Sequence, residues 1–173
     1  MTLKELGKFK LTILSEFAKS KEIVDLLLPD HTEDDDIDAQ LFGDESTNGC
    51  MFKWEYVPDT QEETRSFLCV ETEVTKVPST ASYNISVYVF AFCNKKIMDA
   101  SDKTMYGTRA DLLSHYVDSI LNGSEKFGIG RLNLVDVAVY KPNNRYYGRV
   151  LTYECSGFNN PTGIKKANGF KRV

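Results

Sequence analysis

The chain has 173 residues, 42% of them hydrophobic and 27% charged, with a formal net charge of −4. That length allows one domain with a real core, and the acidic balance gives no reason to expect nucleic acid as a primary partner. The N-terminus, Met1-Thr2-Leu3-Lys4-Glu5, lacks the apolar stretch of a signal peptide, and no run approaches the ~20 apolar residues of a membrane span.

Thr2–Leu28 is helical in pattern. Leu11, Ile13, Leu14, Phe17 and Ala18 mark one amphipathic face. Ser20 is placed to cap a second short helix carrying Ile23, Val24, Leu26, Leu27 and Leu28, which Pro29 stops. Lys19-Ser20-Lys21 marks a bend, either in one kinked helix or between two.

Asp30–Glu45 is the outlier in composition. It holds eight acids (Asp30, Glu33, Asp34, Asp35, Asp36, Asp38, Asp44, Glu45) and no Lys or Arg, so the remainder of the chain stands at +4. Such a segment repels itself and is expected to be an exposed loop. Against a calcium-loop template, Asp34, Asp36, Asp38 and Glu45 fall at positions 1, 3, 5 and 12, and Leu41 at the apolar position 8. Ala39 stands where the sharp turn needs Gly, and Ser46–Gly49 begins no second helix. The expectation is therefore no metal and no cofactor, with these four carboxylates as the calcium candidate.

Met51–Val57 alternates weakly and ends at Pro58, as a short edge strand or an extended segment laid over a sheet would. Thr64–Lys76 reads as a strand with Leu68, Val70 and Val74 on one face and Phe67, Cys69, Glu71 and Glu73 on the other. In Tyr83–Cys93, Ile85, Val87, Val89, Ala91 and Cys93 share one face, while Tyr83, Tyr88, Phe90 and Phe92 lie on or near the other. Apolar residues on both faces mark a central strand, or one with a partner chain on its outer side. Asn94–Met105 is polar and reads as a loop.

A second helix opens at Thr108 with Asp111 three residues on, a capping-box start. Leu113, Tyr116, Val117, Ile120 and Leu121 form its apolar stripe, and Asn122-Gly123 closes it. Leu132–Tyr140 and Arg145–Cys155 then read as a hairpin around Pro142-Asn143-Asn144, with Val135, Val137 and Val139 opposite Leu134, Asp136, Ala138 and Tyr140. From Ser156 the chain is rich in Gly, Asn and basic residues. The expected organisation is one α+β domain over 1–156 with an acidic loop at 30–50, followed by an extended basic arm over 157–173. Its core is a mostly antiparallel sheet of four to five strands with helices packed on one face.

Catalytic chemistry is hard to assemble, and the chain is expected not to be an enzyme. His115 lies between Asp111 and Asp118 at helical spacing, which is more often a solvated helix face than a dyad. The four cysteines, Cys50, Cys69, Cys93 and Cys155, show no C-x-x-C and read as reduced, buried thiols of an intracellular product. No glycine cluster matches a phosphate loop. The outer faces of the strands leave room for a subunit interface, with Tyr88, Phe90, Phe92 and Tyr147 as candidates and Lys165 and Lys166 from the arm.

This order of elements (N-terminal helix, long loop, the Ile85–Phe92 run, the Thr108–Leu121 helix, and a closing hairpin carrying Tyr147-Gly148-Arg149-Val150-Leu151-Thr152-Tyr153) resembles the tail-terminator and tail-completion proteins of tailed phages. The resemblance covers roughly residues 5–156 at the level of pattern. It implies a non-enzymatic virion protein, made in the host cytoplasm and placed at the neck or tail end. It would form a ring, usually of six copies, between the tail tube or sheath and a head-side connector. Such a ring surrounds passing DNA without reading its sequence and touches no membrane. In that setting Asp34, Asp35, Asp36 and Asp38 would face the lumen and repel the DNA backbone. The alternative is a small α+β ligand-binding or regulatory domain with a pocket between helix and sheet.

Overall fold

The computed structural model describes residues 3–32, 34–44, 48–56, 64–76, 83–99 and 107–158. Four helices and a five-stranded mixed sheet make an α+β fold. The helices are α1 (Leu3–Ala18), α2 (Lys21–Leu27), α3 (Ile37–Phe42) and α4 (Arg109–Leu121). The strands are β1 (Met51–Phe52), β2 (Ser66–Lys76), β3 (Tyr83–Asn94), β4 (Asn133–Tyr140) and β5 (Tyr146–Phe158), in the sheet order β1-β2-β3-β5-β4. All pairs are antiparallel except β1 with β2. β3 is central, as its two apolar faces predict.

The N-terminal bend separates two helices. Ser20 Oγ accepts the Ile23 N–H and starts α2. The acidic segment is not wholly a loop. Asp36 Oδ1 accepts the Ala39 N–H at 3.0 Å and starts α3, whose Leu41 is fully buried. A run of carboxylates thus folds because one of them is an N-cap and one apolar residue reaches the core.

α1, α2 and α4 pack on one face of the sheet. Ile13, Leu14, Phe17, Ile23, Leu27, Leu113, Val117 and Leu121 meet Leu68, Val70, Ile85, Val87, Val89, Ala91, Leu151 and Tyr153 in one buried cluster. α4 is held by polar ties as well. Its capping box forms as predicted, with Thr108 Oγ1 accepting the Asp111 N–H and Asp111 accepting the Thr108 N–H. Arg109 is buried at its start and donates to the carbonyls of Ile97 (2.9 Å) and Leu26 (3.1 Å), joining α4 to the C-terminal end of α2. Gly123, at φ 76°, ends the helix in the left-handed conformation, and its N–H reaches the Leu132 carbonyl at 2.7 Å.

The second face of the sheet carries an aromatic layer. By register and alternation Phe67 and Cys69 of β2, Phe90 and Phe92 of β3, Gly148 and Val150 of β5, and Ala138 and Tyr140 of β4 share it. Both expectations for the stretch after Cys50 hold together. β1 is a two-residue edge strand, and the chain after it crosses the sheet as a strap. Tyr56 stacks on Phe52 at 4.1 Å and meets Phe67 at 5.6 Å, and Tyr140 Oη donates to Glu55 at 2.6 Å. The closing strand runs to Phe158, so residues 157–158 belong to the sheet and not to the arm.

Candidate interaction surfaces

The sequence candidates fall in different environments. Phe92 is fully buried under the aromatic layer, 5.3 Å from both Phe67 and Tyr140, so it is a core residue and not a contact residue. The apolar excess that pointed to a partner chain on this face is enclosed at Phe92 by the chain's own rings, Phe67, Tyr140 and Tyr146. Phe90 is half-buried with its ring edge-on to Tyr140. Tyr88 is half-buried and donates to Glu73 at 2.9 Å, a bond that holds its hydroxyl proton more tightly than usual. Tyr147 lies under the Lys141 ammonium, 5.7 Å from its ring centre. Lys165 and Lys166, and the arm that carries them, lie outside the described residues.

Asp34, Asp36 and Asp38 are exposed and Asp35 is half-buried. Asp35 accepts the Thr32 N–H at 2.6 Å, which holds its carboxyl below the usual range, and Asp36 is committed to its cap. No group of three or more metal-ligating side chains is assembled among the described residues. Glu45, the twelfth position of the calcium template, lies outside them, and α3 occupies the middle of that template.

The two acids beside His115 point elsewhere. Asp111 pairs with Arg149 at 2.9 Å, and Asp118 accepts the Tyr153 hydroxyl at 3.1 Å, so both lock α4 onto β5. Burial alone would raise the Asp111 carboxyl. Hydrogen bonds from Thr108 and Arg149 outweigh that and hold it below its ordinary value. Burial and the Asp118 charge push the Tyr153 hydroxyl upward. All four cysteines are buried, and burial pushes the Cys50 and Cys69 thiols up to about 12 and Cys93 to about 11. None is poised as a nucleophile near neutral pH.

Two surfaces take their shape only in the tertiary structure. The first is β4. Among the described residues it pairs with β5 on one side only, and Val135, Val137 and Val139 stand 52, 47 and 50% exposed. A bulge makes Val135 the extra residue, so Leu134 and not Val135 shares the helix-side row with Val137 and Val139. Apart from the bulge, Asp136 is the only charge on this strand, and it holds no Pro. The opposite edge is guarded, since Lys10 bridges the Lys53 carbonyl at 3.0 Å and Glu71 at 2.7 Å. The second is a basic cavity of about 420 Å³ at the end of the sheet, lined by Asn94, Lys95, Lys96, Asn144 and Arg145. The residues of each surface are visible in the sequence. Their exposure and convergence are not.

Taken together, the molecule is an α+β domain that carries an open strand edge and charged end surfaces, with its thiols and its α4 carboxylates tied into structure. A family model described as YomW matches residues 20–155, and the chain belongs to this phage-related family. No curated protein and no solved structure matches it. No helix among the described residues is long and apolar enough to cross a membrane.

Proposed function

We propose that this chain is a structural virion protein that forms a ring at the head-proximal end of a phage tail, joining tail to head around the DNA path. Membership of a phage-related family supports the setting. The observation that carries the assembly role is the open β4 edge. An eight-residue strand with one side unpaired among the described residues and three half-exposed valines is a surface that a stable monomer ordinarily blunts. Contacts between one patch and a different patch on the next copy close into rings when the rotation allows. In this reading the protein is not an enzyme, and its partners are its own copies, the tail tube or sheath protein and a head-side connector.

Negative-stain imaging and mass measurement of the purified chain, alone and with isolated tails, test this. Closed rings are expected, and Val137→Asp with Val139→Asp should abolish them while the fold melts as before. A chain that stays monomeric at high concentration and does not bind tails overturns the proposal.

A further inference from the structure

We infer that the basic cavity at the end of the sheet receives the acidic segment of a second copy of this chain. The inference rests on the ring reading and names the contact that would build it.

The cavity is assembled from two elements far apart in sequence. Asn94, at the end of β3, is 4% exposed, and its Oδ1 accepts the Lys96 N–H at 3.0 Å, which sets the 3-10 turn Lys95–Ile97. The Lys95 N–H then donates to the Arg145 carbonyl at 2.9 Å, and Lys95 Nζ donates to the Asn144 carbonyl at 2.7 Å. On the hairpin side, the Arg145 N–H is held by Asn143 Oδ1 at 2.9 Å. The β4–β5 turn and the 3-10 turn are thus laced to each other, and three cationic side chains border one concavity of about 420 Å³ with no carboxylate among the described residues of its lining. Lys141, on the same hairpin, adds a fourth positive charge nearby.

The acidic segment lies on the other side of the same turn. A second cavity, of about 360 Å³, is lined by Asp30, His31, Asp35, Gln40, Arg65 and Ile97 among others, so Lys95–Ile97 separates the acids from the lysines. The carboxylates are held and not merely tethered, because α3 is capped by Asp36 and anchored by Leu41. Asp34 and Asp38 are exposed and make no hydrogen bond or ion pair among the described residues, and the Lys96 side chain makes none either.

A nucleic-acid backbone suits this end of the molecule less well. The six described carboxylates of the acidic segment (Asp30, Asp34, Asp35, Asp36, Asp38 and Asp44) outnumber the four cations of the cavity and its hairpin, so a polyanion meets net repulsion there. A neighbouring copy brings the opposite arrangement, an acidic lobe that fits a basic recess. Unlike patches that meet across copies are complementary in charge, which selects the lobe-to-recess pairing over lobe-to-lobe or recess-to-recess contact. This places Asp34 and Asp38 at a subunit boundary and not in the lumen.

Charge exchange tests it. Lys95→Glu with Lys96→Glu makes one variant, and Asp34→Lys with Asp38→Lys makes the other. Each alone weakens the charge match at every junction and should lower self-association by at least ~10-fold. Lys95→Glu also gives up the bond to the Asn144 carbonyl, so Lys96→Glu alone, at an exposed position, is the variant whose melting temperature should not change. Mixed in equal amounts, the two should assemble again, alternating around the ring, and the wild-type rings should loosen as salt rises. Rings that form in both variants alone overturn this inference and leave the ring reading standing. A wild-type chain that forms no ring overturns the ring reading itself. Rings that persist in the lysine variant while duplex DNA binding is lost would assign the cavity to phosphate instead.

Discussion

Gly148 sits where the aromatic layer closes over the sheet. It pairs with Phe92 on one side and Tyr140 on the other, and those two rings meet edge-on at 5.3 Å. A Cβ built on Gly148 would stand 2.5 Å from Phe92 Cα, and closer still to the Ala91 carbonyl oxygen and Phe92 Cβ. Real Cβ atoms essentially never come within 3.0 Å, and the Ala91 carbonyl oxygen would stand at 2.1 Å, so Gly148→Ala must push the central strand away by about 0.9 Å. Overpacking of this kind costs about 1–3 kcal/mol, and backbone neighbours that cannot rotate aside put this case at the upper end. Separating the two rings adds roughly 0.5–1.5 kcal/mol. A loss of about 3 kcal/mol lowers Tm by roughly 6–12 °C in a chain of this size. Urea unfolding followed by far-ultraviolet circular dichroism gives the midpoint and slope directly, and the midpoint should fall with the slope unchanged. Gly7→Ala is the control. Its Cβ would meet nothing within 4 Å on the exposed side of α1, so the change should stabilise by about 0.5–1 kcal/mol. If Gly148→Ala unfolds at the wild-type midpoint, the account of the second face is wrong.

Two further predictions concern protons. Asp111→Asn removes the capping-box carboxylate and the Arg149 pair together and should cost about 1–2 kcal/mol at neutral pH. Because the folded state holds this carboxyl below its ordinary value, its contribution is complete above the unfolded value and is lost as pH falls through the lowered one. Acid titration of stability should therefore be flatter in the variant, and an equally steep acid limb would refute the assignment. The buried thiols act at the other end of the scale. Cys50 and Cys69 near 12 and Cys93 near 11 keep their protons in the folded chain, while the unfolded chain releases them near 9.0. Stability should be whole below that value and fall as pH rises above it, each thiol steepening the decline by about 1.4 kcal/mol per pH unit. Cys93→Ala should remove one such increment, and denaturant midpoints that do not change across this range would contradict the burial.

Local chemistry made much of the fold legible. Ser20, Thr108 with Asp111, and Asn122-Gly123 bracket their helices because a cap needs only residues a few positions apart. The hairpin and the central strand follow from alternation and turn residues in the same way. Asp36 was harder to see as a cap, since its neighbours' charge argued for a loop and the burial of Leu41 depends on the core it reaches. The bulge at Val135 shifted a face because alternation in sequence cannot show an extra residue in a ladder.

By itself, then, the sequence determined an α+β chain, the type and order of its main elements, and the reduced, structural character of its cysteines. Tertiary structure alone decided which apolar surface stays open. The strap at residues 53–56 meets Phe67 and Tyr140, and these rings with Tyr146 enclose Phe92, while α4 lies over β5 and β3 and leaves the valines of β4 in solvent. It also brought Lys95 to Asn144 across 49 residues. Such contacts are set by register and by layer coverage, which are properties of the assembled sheet, and no local spacing in the chain encodes them.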